Sequence, residues 1–143
     1  MVPEGWKKLT FGEIASFKNG LNFTKSDNGE EIKIVGVGDF KNLSKLRDIG
    51  ALSYVKVASV VKDTELLEDG DLLFVRSNGN KSLVGRCLYF PTIDERVSFS
   101  GFTIRGRVKP DKIIPEFASF LARSSIVKRQ FLQCGGGTNI SNL

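Results

Sequence analysis

Apolar residues arrive along this chain in short groups set apart by polar punctuation. Leu72-Leu73-Phe74-Val75 is an uninterrupted apolar run, suited to a strand covered on both faces. Gly70-Asp71 precedes it as a turn signal, and Asn78-Gly79 follows, a dipeptide that takes the left-handed positions of a tight hairpin. Leu83-Val84 and then Cys87 to Phe90 read as the return strand, so a buried β-hairpin is predicted with its tip at Arg76 to Ser82. Ile32 to Val37 and Tyr54 to Val61 alternate as further strands. Val97 to Val108 reads as one more, with Phe102, Ile104 and Val108 on one face and Thr103, Arg105, Arg107 and Lys109 on the other. Phe40 to Ser53 has no sustained period and is predicted to be irregular.

Helices are predicted at the two ends. Thr10-Phe11-Gly12-Glu13 fits a capping box, opening a short helix over Phe11 to Phe17 that Asn19-Gly20 ends. Pro115 suits a first helical turn, and Phe117, Phe120, Leu121, Val127 and Phe131 follow at helical spacing. Ser124-Ser125 divides that region into two shorter helices. Gly135-Gly136-Gly137 stops the second, leaving 135–143 as a flexible exit with Thr138 to Leu143 trailing.

Composition narrows the function classes. The 143 residues form one domain, 1–143, long enough for a real core. No apolar run approaches the roughly 20 residues of a membrane helix, and the start has no secretory apolar region. Cys87 and Cys134, without a CxxC, read as reduced thiols in a cytoplasmic protein. A net charge of +5 favours a polyanionic partner, usually nucleic acid. There is no His, which removes the commonest general base and the commonest metal ligand. No zinc site and no His-based serine or cysteine triad can be assembled. Gly36-Val37-Gly38-Asp39 departs from a dinucleotide fingerprint, because Lys41 stands where its third Gly belongs. There is no GxxxxGK[ST] phosphate loop either, so neither a cofactor nor a catalytic residue is assigned.

Candidate DNA contacts fall in three places. At the hairpin tip, Arg76 and Lys81 offer donors, while Asn78 and Asn80 offer the paired donor and acceptor that match adenine, with Ser77 beside them. Lys18, Asn22, Thr24 and Lys25 form a second group, and Lys41, Lys45 and Arg47 a third, both placed to meet phosphates. The Arg105–Arg107 stripe is a further basic face. The same residues also suit ordinary turns and a solvated sheet face, an alternative that composition leaves open.

The order of signals resembles a known family. Trp6 leads to Leu9 and Ile14, followed by a Gly20 loop, Gly70-Asp71-Leu72-Leu73, Gly79-Asn80 and Gly85. Pro115-x-Phe117 with Phe120-Leu121, and then Gly136-Gly137-Thr138-Asn139-Ile140-Ser141, complete the series. From Trp6 on, this resembles the target recognition domain of the specificity subunit of type I restriction-modification enzymes. The resemblance implies a mixed α/β (α+β) single domain with a strongly curved or barrel-like β-sheet and a few helices. It implies a non-catalytic protein that reads one half of a bipartite double-stranded DNA site. Spacer helices would recruit methyltransferase subunits, which modify adenine with S-adenosylmethionine, and a restriction subunit would join them. The chain departs from the full pattern in holding one recognition domain and in stopping at Leu143, about where the first long helix is expected. Two other classes stay open: the recognition domain of a single-chain adenine methyltransferase, and a basic protein-interaction module that binds no DNA.

Overall fold

The computed structural model describes residues 2–134 and 141–142. In chain order it contains α1 (Phe11–Ile14), β1 (Ala15–Asn19), β2 (Glu31–Val35), β3 (Tyr54–Lys56), β4 (Leu72–Val75) and β5 (Ser77–Asn78). Then come β6 (Cys87–Tyr89), β7 (Val97–Phe99), β8 (Thr103–Val108), α2 (Pro115–Ala122), α3 (Ser125–Cys134) and β9 (Ser141–Asn142). One sheet has the order β1-β8-β4-β6, a second β3-β2-β7, and β5 pairs with β9. The mixed α/β architecture is the one expected. Among the described residues the sheets do not close into a barrel.

The apolar run behaves as its composition requires. Leu72, Leu73, Phe74 and Val75 are all buried, because β4 runs between β6 and β8 and is covered on both sides. Leu73 and Val75 point into the core between the two sheets, with Val35, Leu88, Phe90 and Phe99. Leu72 and Phe74 point the other way, toward Ala118 and Ala122 of α2. Around Phe74, the rings of Phe11, Phe17 and Phe131 stand 5.9–6.3 Å away at steep or tilted angles.

The expectations fail at several junctions. The first helix is a single turn over Phe11–Ile14, and Ser16 to Asn19 continue as strand, not helix. The capping box is present, with the Thr10 N–H donating to the Glu13 carboxylate, but Ala15 to Asn19 find a partner in β8. Tertiary pairing outweighs the helix signal there. Tyr54 to Val61 is strand only over Tyr54–Lys56. The long strand over Val97 to Val108 is two strands in two sheets: β7 lies parallel to β2, and β8 lies between β1 and β4. The Ser100–Phe102 turn carries the chain from one sheet to the other. Phe102, expected on the core face, is therefore exposed.

The two helices divide where Ser124-Ser125 indicated. The buried face of α2, however, is Ala118, Ser119 and Ala122, with Phe117 and Phe120 turned outward at 57% and 68% exposure. Small residues let α2 lie close on β6 and β8. Ser141–Asn142, expected to trail, pair antiparallel with Ser77–Asn78. Residues 135–140 and 143 lie outside the described residues. No helix among the described residues is long and apolar enough to cross a membrane.

Candidate nucleic-acid interface

The β4–β6 hairpin exists, but its tip is not a two-residue turn. Neither Asn78 nor Gly79 takes a positive φ; the left-handed position is Gly85, at φ 84°. Between the strands, β5 is followed by a one-turn 3-10 helix at Lys81–Leu83. The Gly85 N–H then donates to the Val75 carbonyl, which closes the connection. Leu83 and Val84 belong to this connection, not to the return strand. A long connection won because Asn78 and Asn80 bond locally. Asn78 Oδ1 accepts from the Asn80 N–H at 2.8 Å, and Asn80 Oδ1 accepts from the Ser82 N–H at 3.0 Å.

Arg76 is half-buried and already occupied. Its Nη1 donates to the Gly101 carbonyl at 2.9 Å, and its backbone N–H donates to the Phe102 carbonyl at 2.8 Å. Ser77 is 5% exposed, Asn78 is half-buried, and Asn80 and Lys81 face solvent. Asn22 lies directly on the turn, its Oδ1 filling the space a Cβ at Gly101 would need. Thr24 caps its own loop, its N–H donating to Asp27 Oδ2 at 2.8 Å. Lys25 is exposed beside it.

These pieces converge on one opening. A cavity of about 450 Å³ is lined by Phe23, Phe102, Ile34, Val55, Ser77 and Asn78. An adjoining hollow of about 440 Å³ shares Phe23 and Val55 and is lined by Thr24, Lys25 and Lys56. Thus the Asn22–Lys25 and Arg76–Asn78 groups come together. Phe23 and Phe102 complete the opening, and sequence reasoning missed both as site residues. The available signal for Phe102 was Ser100-Gly101, small polar residues that interrupt the expected strand.

The remaining candidates lie apart. Lys18 sits in β1 opposite Arg105. Lys45 forms a bridge to Tyr89 and an ion pair with Glu116 at 3.8 Å. Lys41 is exposed at φ 45°, its carbonyl accepting from Arg86 Nη1, and Arg47 is exposed. The Asn42–Ser44 segment borders a separate hollow of about 270 Å³ with Arg86, Arg123 and Lys128. Cys87 lies behind it, where burial pushes its thiol up to about 12.

The Arg105–Arg107 stripe is not a phosphate-facing surface. Arg105 is 7% exposed, and its Nη1 donates to the Thr64 and Leu66 carbonyls at 2.9 and 2.8 Å. Burial draws its guanidinium below its ordinary range. Arg107 grips Asp71 through Nε and Nη2, both at 2.8 Å, and that bond holds its own charge more firmly. Both arginines tie β8 to the segment that leads into β4.

Comparison with known proteins supplies the relatives. No family model matches the chain. It is 30% identical over 142 residues to the type I restriction enzyme StySPI specificity subunit of Salmonella potsdam, covering 96% of this chain and 30% of that protein. To the EcoKI specificity subunit of Escherichia coli K12 it is 24% identical over 150 residues, covering 99% of this chain and 31% of that protein. The chain is homologous to type I restriction specificity subunits. It spans about a third of the length of the curated relatives it matches. The HsdS subunit from Thermoanaerobacter tengcongensis has the same fold over all of this chain and 33% of its own, with TM-score 0.64 and 14% identity. The S subunit from M. genitalium covers the whole chain and 33% of its own with TM-score 0.54 and 11% identity. The likeness to these specificity subunits thus extends over nearly the whole chain and over about a third of each of them.

Proposed function

We propose that this chain reads DNA sequence as one recognition domain of a type I specificity subunit, and that it carries no catalysis of its own. Homology across nearly the whole chain to a specificity subunit carries the reading. Its geometry supports it: the Asn22–Lys25 and Arg76–Asn78 groups meet at one opening, with Lys25 and Lys56 at its side. The domain reads one half of a bipartite double-stranded site. Partner subunits supply adenine methylation and cleavage, and it works in the cytoplasm, where those partners meet DNA. Among the candidates read from the sequence, Ser77, Asn78, Asn22, Thr24 and Lys25 are the best placed. Lys41, Lys45 and Arg47 belong to a second surface, and Lys18 to neither.

Phosphate contacts release counterions, so non-specific binding should be weak, about 10⁻⁴ to 10⁻⁶ M, and strongly salt-dependent. Fluorescence anisotropy of the 143-residue chain with labelled duplex across a salt series tests this. Binding that does not weaken with salt, or no binding at the lowest salt, overturns the reading. Incorporation of label from S-adenosylmethionine by the purified chain alone would overturn the non-catalytic assignment.

A further inference from the structure

The opening lined by Phe23 and Phe102 is a hollow, not a protruding reading head. Side chains that read base edges project into the groove, whereas here about 450 Å³ of space opens among Phe23, Phe102, Ile34 and Val55. That volume falls in the range of sites for small flat ligands and holds a whole base with room to spare.

The surroundings fit one base. Ile34 and Val55 add apolar lining, and Phe23 and Phe102 line the opening at 37% and 57% residue exposure. Every base has a π-face that stacks on such rings. The polar side chains on the wall include Asn78, Asp39 and the hydroxyls of Ser53, Ser77 and Ser100, and the first two offer a donor and an acceptor. Asn78 Oδ1 is held by the Asn80 N–H, which leaves its amide NH₂ to donate. Asp39 Oδ2 is held by the Gly36 N–H at 2.8 Å, which leaves Oδ1 to accept. Lys25 and Lys56, on the adjoining hollow, stand where the flanking phosphates would pass.

Phe102 is held out in the open by a turn that is bonded throughout. Its N–H donates to Ser100 Oγ at 3.1 Å, and its carbonyl accepts from the Arg76 N–H. The Gly101 N–H donates to Leu21 at 2.7 Å, while the Gly101 carbonyl accepts from Arg76 Nη1. The backbone of the turn is thus fixed, and it leaves the Phe102 side chain 57% exposed at the opening.

We propose that this opening receives one nucleobase unstacked from the DNA, between Phe23 and Phe102, and that Arg76 is a positioning residue for Phe102 and contacts no base. The proposal rests on the DNA-reading role proposed above. An extruded base is bound most readily when it is already unpaired. The chain should therefore bind a duplex carrying a single-base bulge about tenfold more tightly than the same duplex fully paired, in parallel anisotropy titrations. Phe102→Leu, which keeps apolar bulk but loses the ring, should abolish that preference. Arg76→Met should reduce the preference as Phe102→Leu does, without changing the salt slope, which a residue in contact with phosphate would change. Lys25→Ala should weaken both duplexes alike. Thermal midpoints of all variants establish that they are folded. Equal affinity of the wild-type chain for paired and bulged duplex overturns the pocket while leaving DNA binding intact. A bulge preference that survives Phe102→Leu in a folded protein overturns it too. Binding to neither duplex overturns the DNA-reading role, and the pocket with it.

Discussion

Arg105 and Arg107 lie inside the fold on β8, while Lys25, Lys41 and Arg47 stand on loops with their side chains in water. All five contribute equally to the positive net charge. The arginines have carbonyls and the Asp71 carboxylate within reach, at 2.8–2.9 Å for their closest bonds. The loop cations have nothing comparable: among the described residues, Lys25, Lys41 and Arg47 form no ion pair. Net charge therefore overstates the surface available to a polyanion. The cations that matter for binding are the ones the fold leaves without acceptors.

That contrast can be broken most sharply at Asp71, which is 1% exposed. Asp71→Ala strips Arg107 of its closest carboxylate, leaving only Glu68 at 3.4 Å, and the Glu68 N–H of its acceptor, so it should cost about 2–4 kcal/mol in chemical denaturation. The salt dependence of DNA binding should stay unchanged. Arg105→Met should be milder, about 1–2 kcal/mol, because the substitution removes a buried charge together with its bonds. The wild-type Arg105 Nε has no hydrogen-bond partner among the described residues, so the loss is smaller still than the bond count implies. On the loops the pattern reverses. Lys25→Ala should leave stability within about 0.5 kcal/mol while lowering the salt slope of DNA binding by about 1. Should Lys25→Ala instead shift the unfolding midpoint and spare the slope, the division between internal and external cations is wrong.

The smallest effect concerns pH. Glu30 accepts from the Val61 N–H at 3.0 Å and pairs with Arg96, and these hold its carboxyl below the ordinary value of 4.5. A carboxyl lowered on folding adds stability that is complete above its unfolded value and fades as pH falls through the folded one. Stability should thus decline modestly below about pH 4.5, a decline that Glu30→Gln flattens in an acid titration followed by circular dichroism. Indistinguishable acid profiles for the two proteins would remove Glu30 from the account.

What the sequence made legible follows from how local each signal is. The buried run Leu72 to Val75 and the break at Ser124-Ser125 are short-range features, and both are where expected. The hairpin was legible as a pairing but not in its tip, because local bonds from Asn78 and Asn80 outcompeted the tight turn. Alternation along β8 placed Arg105 and Arg107 together on one face correctly. It carried no information on what covers that face, since Asp71 and the Thr64–Leu66 carbonyls are distant in sequence. The exposed Phe102 was hidden for a similar reason. A strand that changes sheets at Ser100 looks, residue by residue, like one that does not.

The place where β7 gives way to β8 has a consequence for tuning. Ile34 and Val55 on one wall of the opening belong to the β3-β2-β7 sheet or its neighbours, whereas Ser77, Asn78 and Phe102 ride on the β4–β8 side. The gap thus acts as a caliper whose jaws are the two sheets, and the residues setting its span are those packed between them, such as Val35, Leu73, Leu88 and Phe99. A change of one methylene in that layer alters how far the jaws stand apart. Drift in the core would in this way change the span of the opening with every surface residue unchanged.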